Sequence, residues 1–124
     1  MPHLVLDIGN CGPDHAAIKR FLTSRFDCLV HQADALADAQ TKLAANDYAL
    51  VLVNRKLDID YSDGVDVIRQ LKTAPATSAV PMMLVTNYPE HQEAAVALGA
   101  LHGFGKLEMN DPAAIDRIAA VLGE

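Results

Sequence analysis

The fold is decided by one stretch of the chain, DYALVLVNRKLDIDYSDGVDVIRQLK at residues 47–72. Residues 48–53 are apolar without alternation, which is typical of a strand that helices cover on both faces. Residues 54–64 have the polar composition of a loop, and apolar residues then recur at helical spacing from Val65 to Leu71. This strand–loop–helix order predicts a unit of a parallel α/β sheet.

Similar units lie on both sides of this stretch. Further strands are predicted at residues 4–8, 28–30, 80–85 and 101–104. Helices are predicted after Gly12-Pro13, from an Asp34 N-cap to Ala45, over residues 89–98 and after an Asp111 N-cap. The order βαβαβαβαβα, with short connections, implies right-handed crossovers and a doubly wound parallel sheet. We expect a single domain over residues 1–124.

Composition excludes several classes of function. The chain has 124 residues, of which 51% are apolar, and its 10 basic and 16 acidic side chains give a net charge of −6. The basic residues are scattered, so no positive face for nucleic acid is expected. No apolar run approaches the length of a membrane span, and the N-terminus lacks the basic region of a signal peptide, so we expect a cytoplasmic protein. Without a catalytic triad, a Gly-rich phosphate loop or a metal quartet, a self-standing enzyme is not expected.

The candidate site lies where the predicted strands end. Functional groups in such sheets collect at the carboxyl ends of the strands. The residues at those ends are Gly9, Asn10, Cys11, Asn54, Arg55, Lys56, Thr86, Asn87, Gly105 and Lys106.

Three segments together resemble a response-regulator receiver domain, the CheY-like fold of two-component signalling. Residues 47–72 resemble its third strand, active-site loop and third helix. The segment SAVPMMLVTN at residues 78–87 resembles its fourth strand, and AAVALGALHGFGK at residues 94–106 resembles its fourth helix, fifth strand and terminal lysine. The resemblance covers essentially the whole chain. It implies a flavodoxin-like sheet with the strand order 2-1-3-4-5.

The resemblance also assigns positions to the site. In a working receiver, an Asp ending the third strand accepts the phosphoryl group and holds a divalent cation with an acidic pair after the first strand. The phosphoacceptor position is Asn54 here, and the acidic-pair position falls on Gly9 and Asn10. Thr86 and Lys106 match the residues that contact the phosphoryl group.

These substitutions change the chemistry that the site can perform. An amide is a poor nucleophile compared with a carboxylate, and Mg²⁺ prefers anionic oxygen ligands. Losing three carboxylates leaves Lys106 without its usual partners, and Lys56 adds positive charge nearby. We therefore expect weak or lost Mg²⁺ binding and no other cofactor. Lys106 is expected to bond the Asn54 oxygen or to pair with a loop acid, first of all Asp58.

The resemblance fails at two more positions. Leu107 replaces the proline that normally follows the lysine, and the place of the aromatic switch residue falls on Gly103, with Phe104 next to it. The family's coupling between the threonine and the aromatic residue is therefore not expected.

The acidic loop between the third strand and the third helix allows three interpretations. Asp58, Asp60 and Asp63 could supply oxygens to Ca²⁺, but the glycine comes one residue late and no closing Glu follows. A solvated turn in which Asp63 caps the helix fits better. Pairing of Asp58 with Arg55 or Lys56 is the third interpretation.

The histidines and cysteines show no ligand pattern. The five histidines lack ligand spacing and are expected at the surface. Cys11 and Cys28 fall near opposite ends of neighbouring strands, too far apart for a disulfide, so free thiols are expected.

Three functional hypotheses remain. The first is an atypical receiver that binds a histidine kinase or a downstream effector without being phosphorylated. The second is an active phosphorelay receiver with another acceptor such as Asp58. The third is a doubly wound domain that binds a small anion or a cation. The sequence leaves the oligomeric state open.

Overall fold

The computed structural model describes residues 2–123. Its strands are β1 (His3–Ile8), β2 (Cys28–Ala33), β3 (Leu50–Asn54), β4 (Met82–Val85) and β5 (Leu101–Phe104). Its helices are α1 (Gly12–Arg25), α2 (Leu36–Ala45), α3 (Gly64–Thr73), α4 (Pro89–Ala97) and α5 (Pro112–Leu122), with a 3₁₀ turn at Lys106–Glu108.

The five strands form one parallel sheet in the order β2-β1-β3-β4-β5. This confirms the predicted doubly wound α/β fold. Ile8 at the end of β1 pairs with Val53 in β3. The next register position brings Gly9 beside Asn54, so the β1 and β3 ends meet at one edge of the sheet.

Helices bury both faces of the sheet. One face packs Val5 and Leu52 against Ile18 of α1 and Ile118 of α5. The other face packs alternate residues of the same strands against α2, α3 and α4. Burial on both sides explains why residues 50–53 are apolar without alternation.

Two strands are shorter than their apolar runs. β3 begins at Leu50, although the predicted strand begins at Tyr48, whose hydroxyl bonds His31 Nδ1 at 2.8 Å. β4 begins at Met82, immediately after Pro81. Proline has no N–H for the ladder, but its carbonyl accepts a hydrogen bond from Val51 N at 2.9 Å.

The predicted N-caps differ in outcome. Asp63 caps α3 by accepting a hydrogen bond from Val65 N at 2.9 Å, as predicted. The prediction for Asp34 is wrong, since α2 begins later and the Asp34 N–H instead donates to the Asp38 carboxylate at 3.0 Å. Asp111 precedes α5 at the predicted place, but its side chain makes no cap bond.

None of the helices within residues 2–123 combines the length and the apolar character needed to cross a bilayer.

Candidate functional site

The ends of β3, β4 and β5 converge on an open cavity of about 230 Å³, called the edge cavity below. Its lining comprises Asn54, Arg55, Lys56, Val85, Thr86, Asn87, Tyr88 and Lys106. Of the four strand-end residues expected to converge in one pocket, Asn54, Thr86 and Lys106 line this cavity and Asn10 does not. Gly9 and Asn10 are not part of the lining, but Gly9 bonds one lining residue through its backbone.

The side chain of Asn54 is bonded into the local backbone. Its Nδ2 donates to the Lys56 carbonyl at 2.8 Å and to the Gly9 carbonyl at 3.3 Å. These bonds hold the end of β3 against the β1–α1 connection and against its own loop. A carboxylate at position 54 would face the same two carbonyl oxygens without a proton to donate, so the local backbone suits an amide.

The acidic-pair position supplies no charge to the edge cavity. Gly9 has φ +82°, and a Cβ there would lie 2.3 Å from Leu57 Cγ, so no side chain fits. Asn10 is buried and directs its Nδ2 to Asp7 Oδ1 at 2.5 Å. The Asn10 Oδ1 is buried without a hydrogen-bond partner in the described part of the chain.

Buried Asp7 and partly buried His15 form a pair that sequence reasoning missed. Asp7 has no solvent exposure, and its Oδ2 lies 2.8 Å from His15 Nδ1. Burial raises the pKa of Asp7, while the hydrogen bonds from His15 and Asn10 oppose this shift. The expectation that the histidines lie at the surface is wrong for His15, whose side chain is only 15% exposed. A single acid within the apolar β1 run was the available signal.

Lys106 is paired with a residue of α1. Its Nζ lies 2.7 Å from Asp14 Oδ2, so the expected bond to Asn54 or to Asp58 is not formed. The hydrogen bond from Lys106 lowers the pKa of Asp14. Lys106 meets Asp14 because α1 packs on the same face of the sheet as Phe104 of β5. This packing places the first turn of α1, which contains Asp14, near the end of β5.

The acidic loop has the geometry of a turn. The Asp60 carboxylate accepts hydrogen bonds from Ser62 N at 3.0 Å and from Ser62 Oγ at 2.6 Å. The Asp63 side chain caps α3, and Asp58 is exposed while its N–H donates to the Gly9 carbonyl at 2.8 Å. The side chains of Asp60 and Asp63 thus serve local structure, and the Asp63 cap is the one that the second interpretation predicted.

The basic residues of the loop have neighbours other than Asp58. Arg55 Nη2 lies 3.5 Å from His91 Nε2. Lys56 Nζ lies 5.5 Å from the centre of the Tyr61 ring, in a cation–π geometry. The interpretation that pairs Asp58 with Arg55 or Lys56 is therefore not supported.

The donor set at the strand ends does not fit Mg²⁺. No carboxylate lines the edge cavity, and three of its lining residues are cationic. Across residues 2–123, no group of three or more His, Cys, Asp or Glu side chains is arranged to hold a metal ion. A hard divalent cation requires anionic oxygens, which this cavity does not offer.

Thr86 takes part in the local backbone structure at the end of β4. Its N–H donates to the Phe104 carbonyl at 3.0 Å, and its Oγ1 accepts a hydrogen bond from Tyr88 N at 3.3 Å. The hydroxyl thus fixes the first turn of the β4–α4 connection next to the edge cavity.

Glycine is required at residue 103, which the resemblance assigns to the aromatic switch position. A Cβ on Gly103 would lie 2.2 Å from the Leu84 carbonyl oxygen, so no larger residue fits there. Phe104 points to the opposite face and packs edge-on against Phe21 with ring centroids 5.9 Å apart. Leu107, at the place of the usual proline, is the most exposed large apolar residue of the described chain.

Gln92 of α4 joins β4 to β5, which sequence reasoning also missed. Its Oε1 accepts a hydrogen bond from Gly103 N at 2.8 Å, and its Nε2 donates to the Leu84 carbonyl at 2.9 Å. The pairing of these strands is irregular between Met83 and Val85. The buried Gln92 amide therefore bridges the two strands by hydrogen bonds at the point where their own pairing is irregular. No sequence pattern distinguishes this glutamine from a surface residue of a helix.

The two thiols match expectation. Cys11 is half-buried and Cys28 is buried, and neither forms a disulfide.

The chain is similar to known proteins in structure rather than in sequence. Neither a protein-family model nor a curated protein sequence matches the chain. Solved structures do match it. The signal receiver domain of a DNA-binding response regulator from Colwellia psychrerythraea 34H is 22% identical, with a TM-score of 0.80, over 98% of this chain and 99% of that one.

Two further structures give the same result. A CheY-like response regulator receiver domain protein from Methanospirillum hungatei JF-1 is 17% identical with a TM-score of 0.78, covering 99% of this chain and 95% of that one. The signal receiver domain of a histidine kinase from Syntrophus aciditrophicus is 18% identical with a TM-score of 0.76, covering 98% and 90%. With its strand order and these matches along the whole chain, this protein has the CheY-like fold of response-regulator receiver domains.

Proposed function

We propose that this chain is an atypical, or pseudo-, receiver domain of two-component signalling that acts in the cytoplasm as a protein-interaction module. In this role it binds a histidine kinase or a downstream effector through its folded surface. It is not phosphorylated at Asn54, it needs no cofactor, and it catalyses no reaction of its own.

One observation carries the proposal. The residue at the phosphoacceptor position is an amide whose nitrogen donates to two backbone carbonyls, those of Gly9 and Lys56. Phosphoryl transfer to a receiver needs a carboxylate nucleophile, and an amide held in this way offers none. The absence of carboxylates in the cavity lining supports the same conclusion, because Mg²⁺ has no anionic ligand there.

The direct test is chemical phosphorylation. The chain is incubated with acetyl phosphate and Mg²⁺, and its intact mass is measured, with an active receiver domain as a positive control. We expect no adduct on the chain under conditions that label the control. A stable adduct of one phosphate, mapped to any carboxylate, would overturn the proposal.

The active-receiver alternative makes a different prediction for the same experiment. Asp58 is exposed and its backbone N–H bonds the Gly9 carbonyl, so its backbone lies beside the end of β1. If Asp58 were the acceptor, the adduct would map to it and Asp58→Asn would abolish labelling. Asp60→Asn is the matched control in the same loop.

A small-anion site is a second candidate function. Arg55, Lys56 and Lys106 all line the edge cavity, together with the hydroxyl of Thr86. This lining favours an anion over a cation. Isothermal titration with inorganic phosphate tests the candidate, because millimolar or tighter binding lost in Lys56→Glu would support it.

A further inference from the structure

We propose that the loops around the edge cavity form a docking surface for an acidic polypeptide segment with apolar residues next to its carboxylates. One carboxylate of the segment enters the edge cavity, and the apolar residues cover the loops around it. The inference rests on the proposed function, since it names the partner chemistry of a protein-interaction module.

The first observation is where the exposed apolar side chains lie. The four most exposed large apolar residues in the described chain are Leu107 at 85%, Tyr61 at 73%, Ile59 at 61% and Tyr88 at 59%. All four lie on loops that follow the carboxyl ends of β3, β4 or β5. Tyr88 lines the edge cavity, Tyr61 lies beside the lining residue Lys56, and Leu107 follows the lining residue Lys106. Apolar side chains scattered over a surface need no explanation, but a group at one cavity indicates an interaction site.

The second observation is the charge of the edge cavity. The cavity lining contains Arg55, Lys56 and Lys106 and no acidic side chain. Asp14 neutralises Lys106 through their 2.7 Å contact. Within residues 2–123, the Arg55 side chain contacts His91, the Lys56 side chain lies over the Tyr61 ring, and neither is paired with a carboxylate. Two cations are thus available to an entering carboxylate, for which Arg offers paired donors.

The third observation is that the surface is already ordered. Asn87 Oδ1 accepts a hydrogen bond from Leu107 N at 3.2 Å, which joins the β4–α4 loop to the turn after β5. The Glu108 carboxylate accepts from Gly105 N at 2.7 Å. A preformed surface avoids the entropic cost of ordering loops on binding. The Glu108 carboxylate is bonded to the Gly105 N–H and does not line the edge cavity.

These observations favour a polypeptide over the other occupants. A free anion would satisfy the cations but leave the four apolar side chains exposed to water. A second copy docked by the same surface would place its cations against these cations. A basic segment would be repelled for the same reason. An acidic segment with apolar flanks matches the cations of the cavity lining and the exposed Tyr88, Tyr61 and Leu107. Asp58 and Asp60 flank Ile59, so the acids of the segment face the cavity and its apolar residues face this loop.

The test uses a displayed library of random 12-residue peptides, selected on the full chain. Recovered peptides are synthesised, and their Kd values are measured by fluorescence anisotropy. We expect enrichment of Asp and Glu beside Leu, Ile, Phe or Tyr. Changing the acids of a recovered peptide to amides should weaken binding at least tenfold.

Variants of the chain locate the binding surface. Lys56→Glu and Tyr88→Ser are expected to weaken binding at least tenfold each. Lys19→Glu reverses an exposed charge in α1 outside the cavity lining and should change the Kd less than twofold. Thermal melts of all three variants verify that each one is folded.

Several results would overturn the inference. These are recovery of no peptides, recovery without acidic enrichment, or binding that Lys56→Glu and Tyr88→Ser leave unchanged. Inorganic phosphate that binds as tightly as the peptides would assign the cavity to a free anion. A concentration-dependent dimer that Lys56→Glu dissociates would assign the surface to a second copy. None of these results affects the acetyl phosphate test, so the proposed function and this inference fail separately.

Discussion

Lys106, the lysine that follows β5, contacts Asp14 of α1 through a 2.7 Å ion pair and does not reach the Asn54 side chain. The side chains of the pair are 31% and 42% exposed, so water screens much of their attraction. The pair nevertheless gives Lys106 a partner without a carboxylate at position 54. This arrangement explains how the cavity tolerates the neutral Asn54.

Asp14→Asn should therefore lower the free energy of unfolding only slightly, by about 0.5 kcal/mol, as is typical of a partly exposed ion pair. Lys106 lowers the pKa of Asp14 below its unfolded value, so the stabilisation is present at neutral pH. It is lost as the pH falls through the lowered pKa of the folded state. Urea unfolding at pH 7 and near pH 3 should give a difference between the two proteins at the higher pH only. A loss that stays constant over this pH range would contradict the ion-pair explanation.

An Asn10→Asp, Asn54→Asp double variant should gain Mg²⁺-dependent stability, while the wild type should not respond. Two new carboxylates would restore anionic ligands near the β1 and β3 ends, and Mg²⁺ would relieve their repulsion with Asp7. With a Kd near 1 mM, 10 mM Mg²⁺ would contribute about 1.4 kcal/mol. Melting temperatures with Mg²⁺ and with EDTA provide the measurement.

Gly9 is left unchanged in this double variant for a structural reason. Its positive φ and the 2.3 Å approach of a Cβ to Leu57 Cγ make Gly9→Asp strongly destabilising. Asn54→Asp alone is expected to show neither Mg²⁺ dependence nor labelling by acetyl phosphate. A clear Mg²⁺ shift in the wild type would show that the donor set has been misjudged.

Gln92→Ala should destabilise the chain by about 3 kcal/mol, because it leaves the buried Gly103 N–H and Leu84 carbonyl without partners. Hydrogen exchange at the Gly103 amide should also become faster. Glu93→Ala, at the next and exposed position of α4, is the control and should change stability by less than about 0.5 kcal/mol. A loss below about 1 kcal/mol for Gln92→Ala would mean that β4 and β5 pair without the glutamine.

Asp7→Asn should stabilise the protein at neutral pH by about 1 kcal/mol, or about 4 °C in Tm. Burial raises the pKa of Asp7 above its unfolded value, so the folded state binds more protons and stability falls as the pH rises between the two pKa values. Asparagine keeps the shape, can accept from the Asn10 amide, and can donate its own N–H to the His15 ring. The gain should therefore disappear at acidic pH.

Thermal melts from pH 4 to pH 8 measure this effect, with Asp116→Asn on the exposed surface of α5 as the control. A loss of stability in Asp7→Asn at pH 7 would instead indicate that a charged Asp7–His15 pair holds α1 to β1.

The fold was predictable because local patterns along the chain specify it. Non-alternating apolar runs and helical spacing indicated all five strands and all five helices, and regular alternation implied parallel order. Errors fell at element ends. Pro81 shortened β4, and the Asp34 N–H bonded Asp38, because such boundaries depend on hydrogen bonds that spacing does not reveal.

The candidate site was predictable only in part. Strand ends of a parallel sheet lie at one edge, so the meeting of Asn54, Thr86 and Lys106 followed from the sequence and its resemblance. The partners of these side chains did not follow. Asp14 and Lys106 form an ion pair although they are 92 residues apart in the sequence. Gln92 of α4 hydrogen-bonds the backbone of β5 from a helix.

Sequence by itself thus determined the sheet, its helical layers and the presence of uncharged residues, Gly9, Asn10 and Asn54, at the ends of the first and third strands. These features depend on residue type and on spacing within one element. Tertiary structure alone decided that Asp7 is buried against His15, that Lys106 pairs with Asp14 and that the exposed Tyr88 and Tyr61 lie at or beside the edge cavity. The physical reason is that burial and ion pairing depend on distances between elements, which only the packing of α1 and of the loops against the sheet sets.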